Sequence, residues 1–170
     1  MSEEKATKHD SQLVITRIFD APRELVFKTW TESEHLKQWW GPIGFSISVS
    51  KFDIRPGGVF HYCMKSSEGH EMWGKFVYRE IVAPEMLVFV NSFSDAEGNI
   101  VRAPFHESVP LKIQNSLTLT EHEGKTILTL RVEPIDATEE ELQFFYSIHG
   151  SMQEGYGGTF SKLDDYLAKL

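Results

Sequence analysis

Histidine is the first residue type to test for chemistry, and the chain has seven: His9, His35, His61, His70, His106, His122 and His149. None stands in an H-x-x-x-H or H-E-x-x-H pattern, so no metal-ligand spacing is present locally. His9 and His122 fall in tail and hairpin contexts, where solvent is their natural surrounding. His61 alternates with Phe60 and Tyr62 in a strand-like run, and His149 lies beside an apolar helical stripe. Either could face a cavity and serve as a general base, because imidazole titrates near neutrality. The plainer alternative for each is a partly buried ring bonded to backbone.

Other catalytic patterns are missing. Glu139, Glu140 and Glu141 open a helix, where negative charge suits the helix dipole. Asp53 and Arg55 flank an "RPGG" turn, where turn chemistry and a local ion pair are expected, with a place at the cavity mouth as the alternative; Glu107 lies in a long loop and could reach a ligand. Cys63 is the single cysteine; it excludes a disulfide within the chain and, inside "VFHYCMK", reads as a small buried hydrophobe. There is no G-x-S-x-G elbow and no phosphate loop, and "GYGGTF" at 155–160 falls inside a helical pattern. No catalytic, metal-binding or cofactor-binding set is therefore assigned.

The remaining signal is aromatic. Twelve phenylalanines, five tyrosines and four tryptophans can fill a core or wall an apolar pocket with a few polar groups. The candidate cavity residues are Trp39, His61, Trp73, Phe76, Phe89, Phe105, Phe145, His149, Met152 and Tyr156. Of the pair Trp39-Trp40, Trp40 is expected to plug the core and Trp39 to border the cavity.

The elements that must position these residues follow from periodicity and punctuation. Residues 1–11 read as a polar flexible tail, and 12–170 as one domain. "LVITRIFD" reads as a first strand. Asp20 and Pro22 then open a short helix, and Thr31 with Glu34 has capping-box spacing for a second, stopped by Gly41-Pro42. In "FSISVSKFD", Phe45, Ile47 and Val49 alternate with serines, the period of a half-buried strand. Further strands are expected near 59–65, 71–82, 86–93, 115–122 and 126–134. About twenty residues separate the last two hairpin pairs, and a loop of that length is often functional. From about 138 to 169 the apolar period becomes helical, with Thr138 and Glu141 at capping-box spacing. Gly150, Gly155, Gly157 and Gly158 weaken that helix; they are read as permitting close packing and shaping a cavity, with a bend near Gly157-Gly158.

The order of strand, two short helices, six strands and a long helix gives an α+β fold. A curved antiparallel sheet of about seven strands wraps around the C-terminal helix, with a ligand-sized space between them. At this point the chain resembles a known family. "ITRIFDAPRELVFKTWTESEHLKQWWGP", "DIRPGG", "GKTILTLRVEPIDATEEE" and "GSMQEGYGGTFSKLDDYLAKL" are similar to bacterial homologues of the activator of heat-shock-protein-90 ATPase. These belong to the START-like (SRPBCC) superfamily with the birch-pollen-allergen-like helix-grip fold. The resemblance implies a deep apolar cavity, which various members use for lipids, sterols or polyketides. Some relatives cyclise or dehydrate polyketides. Chaperone stimulation in the family also depends on a separate N-terminal domain, for which a tail of about twelve residues has no room.

Charge and composition narrow the partners. The net charge is −8, with 17 basic against 25 acidic residues and no basic run, which disfavours nucleic acid and anionic membranes. No apolar stretch is long enough to insert in a membrane, and the N-terminus lacks a signal core, so a cytoplasmic protein is expected. The leading expectation is the binding of a small hydrophobic or amphipathic molecule. The first alternative is a cyclase/dehydratase-like enzyme using His61 or His149 as base. The second is a chaperone-associated or other protein-interaction role. A homodimer is compatible with the fold, with no sequence signal that decides it.

Overall fold

The computed structural model describes residues 12–170; the expected tail at 1–11 lies outside the described residues. Seven strands are present: β1 (Leu13–Phe19), β2 (Phe45–Phe52), β3 (Val59–Ser66), β4 (Glu71–Val82), β5 (Met86–Ser94), β6 (Ile113–His122) and β7 (Lys125–Pro134). Four helices accompany them: α1 (Arg23–Thr31), α2 (Ser33–Trp39), α3 (Glu139–Ser147) and α4 (His149–Leu167). The strands form one antiparallel sheet in the order β1-β7-β6-β5-β4-β3-β2. All but one connection within it joins neighbours; the exception carries the chain from β1 through α1 and α2 to the far edge.

Side chains alternate across each strand, so one parity faces the helices and the other faces away. The inner set includes Phe60, Tyr62 and Met64 on β3, Phe76 and Tyr78 on β4, Leu87 and Phe89 on β5, Leu117 and Leu119 on β6, and Leu128, Leu130 and Val132 on β7, all buried in one core. Helices α1 and α2 close one end of it. Trp30 and Trp39 meet edge-on at 4.7 Å, and the Trp39 indole N–H donates to the Thr29 carbonyl at 2.9 Å. Helix α4 is held to the sheet edge by Arg17 on β1. Its guanidinium donates to Asp164 Oδ2 at 2.7 Å, Gly157 O at 3.2 Å and Ser161 Oγ at 3.3 Å.

Several local expectations change. The C-terminal segment is two helices rather than one. The chain breaks at Ile148 (φ −104°, ψ 12°), not at Gly157-Gly158, which stay helical. Thr138 and Glu141 do form the full capping box. Thr31 does not cap α2; its hydroxyl donates back to the Phe27 carbonyl at 2.9 Å, and Glu32 occupies the cap position. Asp20 does not cap α1, whose N-cap is Pro22. The glycines of α4 leave room more than they allow close approach: added side chains at Gly150, Gly155 and Gly157 would meet open space, and only Gly158 packs tightly, against Ile43.

The turn between β2 and β3 obeys its sequence. Arg55 Nε donates to Asp53 Oδ2 at 2.8 Å. Gly57 has φ +84°, in the left-handed region that glycine enters without penalty. Its N–H donates to the Tyr78 carbonyl at 2.7 Å, and the Tyr78 N–H donates to Gly58 O at 3.0 Å. The turn is thereby knitted into β4.

Candidate functional site

A cavity of about 290 Å³ opens between the inner face of the sheet and helix α4. Trp40, Gly41 and Pro42 form one wall. Tyr62 and Met64 of β3, Gly74 of β4, Asn91, Ser92 and Phe93 of β5, and Ile113 of β6 form the sheet side. Pro110 comes from the loop before β6, and Met152, Gly155, Tyr156 and Thr159 come from α4. The residues at 152, 155, 156 and 159 share a face because their spacings are three and four. The lining is mostly apolar and carries no charged side chain.

The polar groups in it are few and fixed. Asn91 Nδ2 donates to the Tyr62 hydroxyl at 3.2 Å and to the Lys75 carbonyl at 3.1 Å. Tyr156 donates to Asn115 Oδ1 at 3.0 Å, and Asn115 Nδ2 donates to the Ile113 carbonyl at 3.2 Å. The Thr159 hydroxyl is within 3.1 Å of the carbonyls of both Gly41 and Gly155. Burial pushes the Tyr62 and Tyr156 hydroxyls above the ordinary tyrosine range, so both stay protonated. Lys162 donates to Gly41 O at 3.1 Å and Pro42 O at 3.4 Å, and partial burial lowers its pKa.

Space beside Tyr62 depends on Gly74. The two residues are directly opposite on β3 and β4. A Cβ at 74 would sit 2.7 Å from the Tyr62 oxygen. A glycine inside a strand marks such close approach.

Of the ten residues expected at the cavity, Met152 and Tyr156 border it. The other eight do not. Phe76 and Phe89 stack at 4.1 Å in the fully buried core, and Phe145 is also fully buried. Trp39 is fully buried, whereas its neighbour Trp40 lines the cavity. The expected roles of the pair are thus exchanged. Trp39 is the last residue of α2, whereas Trp40 is its extended C-cap (φ −68°, ψ 146°) and leads into the Gly41-Pro42 turn.

His61 and Trp73 have the outer parity of their strands; they stack at 5.0 Å on the opposite face of the sheet. His61 Nε2 lies 3.2 Å from Ser94 Oγ and 3.1 Å from the Asp95 carbonyl, under the turn that follows β5. His149 packs edge-on against Phe145 and Tyr146, outside the cavity lining. Phe105 is largely exposed, set against Phe93 at 5.6 Å. Glu107 is exposed as well, and Cys63 is buried on the outer face. No three His, Cys, Asp or Glu side chains gather as a metal site among the described residues. No described helix is long and apolar enough to cross a membrane.

The long loop is anchored rather than loose. Arg102 pairs with Glu141 and donates to the Val109 carbonyl at 3.3 Å. The Ser108 hydroxyl reaches Glu140 at 3.4 Å, and His106 stacks on Phe144 at 4.1 Å. The bond from Arg102, followed by the Thr138 backbone N–H, holds the Glu141 carboxyl below its usual pKa. Stability from Glu141 is therefore complete above the ordinary glutamate range and is lost as pH falls through the depressed native value. Arg102 is half-exposed, which screens the pair. Glu141→Gln is expected to cost about 1.5 kcal/mol at neutral pH. The gap from wild type, measured by urea unfolding, should narrow below about pH 4; a gap constant with pH would refute the ionised role.

The family model described as Activator of Hsp90 ATPase homolog 1-like protein matches residues 20–168. A crystal structure of a Mycobacterium smegmatis protein is similar at 26% identity over 94% of this chain and 91% of that one, with a TM-score of 0.75. An Arthrobacter aurescens protein solved by NMR shares the fold at 24% identity, 95% and 88% coverage, and a TM-score of 0.79. The AHSA1 protein of Silicibacter pomeroyi shares it at 20% identity, 92% and 97% coverage, and a TM-score of 0.67. No curated protein matches significantly. The family match runs from the entry to α1 to the residue after α4, over the elements that build the helix-grip fold and its cavity, and the chain belongs to the Activator of Hsp90 ATPase homolog 1-like family of the START-like superfamily.

Proposed function

We propose that this protein binds a small, mainly apolar molecule in the cavity between the sheet and α4. The observation that carries the reading is the cavity itself, about 290 Å³ with an apolar lining and a small set of oriented hydroxyl and amide groups. That size is near the lower end of small-molecule sites and suits a ligand of one or two rings. The family's general use of hydrophobic ligands supports it. A proton-transfer enzyme is less well supported, because neither His61 nor His149 borders the space and the tyrosines there hold their protons.

Native mass spectrometry of gently purified protein, followed by thermal shift with apolar aromatic compounds, tests the reading. Binding should raise the melting temperature in proportion to ligand concentration over Kd. Failure to retain or respond to any such compound would count against it. Gly155→Leu gives a sharper result. The residue lies at the cavity wall with open space beside it. Leucine improves helix propensity by up to about 1 kcal/mol. The variant should be as stable as wild type or more so, yet bind ligand at least tenfold more weakly. Unchanged affinity would place the bound molecule elsewhere.

A further inference from the structure

Counting protons around Tyr62 shows that one is unspent. The side chain is 2% exposed and lies on the inner face of β3. A phenol offers one donor and accepts through its lone pairs. The Asn91 amide nitrogen can only donate, and it donates to the Tyr62 oxygen at 3.2 Å. That bond uses the acceptor side and leaves the hydroxyl hydrogen without an acceptor among the described hydrogen bonds. Strand β4 offers no side chain there, since Gly74 stands opposite. The free direction is the cavity.

The other polar groups complete the picture. Tyr156 has already donated its proton to Asn115, whose amide is fixed by its bond to Ile113. Lys162 is spent on the carbonyls of Gly41 and Pro42. No cation borders the space. A buried anion would pay a large desolvation cost without a counter-charge.

We infer that the Tyr62 hydroxyl is the site's hydrogen-bond donor, and that the ligand is an uncharged, mainly apolar molecule presenting a carbonyl-type oxygen to it. The amide N–H on the phenol oxygen draws electron density from it and strengthens its donation. Burial keeps it a hydroxyl. With no base beside it, the group holds a carbonyl without starting proton transfer. This inference rests on the cavity-binding reading and deepens it.

The test compares 2-acetylnaphthalene with 2-isopropenylnaphthalene, which has the same skeleton with a methylene in place of the carbonyl oxygen. Affinities of both are measured for wild type and for Tyr62→Phe by titration calorimetry. The carbonyl stretch of bound ketone is read by infrared difference spectroscopy. The ratio of ketone to alkene affinity should fall about tenfold in Tyr62→Phe. Wild type should shift the carbonyl stretch to lower frequency than Tyr62→Phe does. Sodium 2-naphthoate should bind wild type at least tenfold more weakly than the ketone.

If both proteins bind both probes with the same ratio and the same stretch, Tyr62 is not the donor, while the binding reading survives. Naphthoate binding as tight as the ketone would overturn the uncharged-ligand assignment. If neither probe binds wild type, the cavity reading fails and takes this inference with it. The infrared frequency in wild type alone decides the donor question should Tyr62→Phe fold poorly.

Discussion

Trp39→Ala is expected to cost about 4 kcal/mol of folding stability, against about 3 kcal/mol for Trp40→Ala. The two residues are adjacent and of one type, so the difference isolates their surroundings. Trp39 is fully buried, packs edge-on against Trp30, and bonds the carbonyl of Thr29, itself fully buried. Alanine there leaves a closed void and an orphaned carbonyl between α1 and α2. Void and lost bond add, because packed walls relax only in part. Trp40 already faces open volume, and its loss merges with an existing cavity. Ligand binding should therefore fall more for Trp40→Ala, and stability more for Trp39→Ala. Equilibrium urea unfolding gives the order, and a reversed order would refute the placement of the pair.

The next largest effect is expected at the turn into β3. Gly58→Ala should cost about 3 kcal/mol, while Gly57→Asn should cost less than about 1 kcal/mol. A Cβ at 58 would lie 2.0 Å from the Asp53 carbonyl oxygen and 3.0 Å from that of Arg55. Both obstacles are backbone and cannot rotate away. Shifting the turn to relieve them would break its two hydrogen bonds to Tyr78. At 57 the backbone is left-handed but a side chain meets nothing within 4 Å, and asparagine tolerates that conformation. Thermal and urea midpoints of the two variants decide it. Similar losses at both sites would mean that conformation rather than the clash sets the cost.

These contrasts show where the sequence was legible. Two-residue alternation located every strand within about two residues, since burial of one sheet face imposes that period directly. The capping box at Thr138 was equally local and equally readable. The break at Ile148 falls two residues before Gly150, the first of the four glycines, and not at the Gly157-Gly158 pair. Strand parity would have separated Trp73 from Phe76 and His61 from Tyr62, because odd spacings point to opposite faces. Gly74 within "EMWGKF" was a usable mark of close approach. The site was less legible because its polar members are contributed by separate strands and by α4. Asn91 of β5 meets Tyr62 of β3 across β4, and Asn115 of β6 meets Tyr156 of α4, contacts that only the folded arrangement creates. The family motifs identified the fold, whose cavity can be lined by many different side chains.

The pairing of β1 with β7 has a consequence for biosynthesis. Leu13 lies opposite Val132 and Phe19 opposite Thr126, each more than a hundred residues later in the chain. Arg17 finds its partners later still, on α4. The strand that leaves the ribosome first has no place in the sheet until nearly the whole domain has followed it. Its apolar residues must wait uncovered through most of translation, and closure of the sheet depends on contacts of the longest range in the molecule. Closure of the sheet at this seam therefore comes after β7 and α4 have been made, and β1 lacks its sheet partner for as long as they remain unmade.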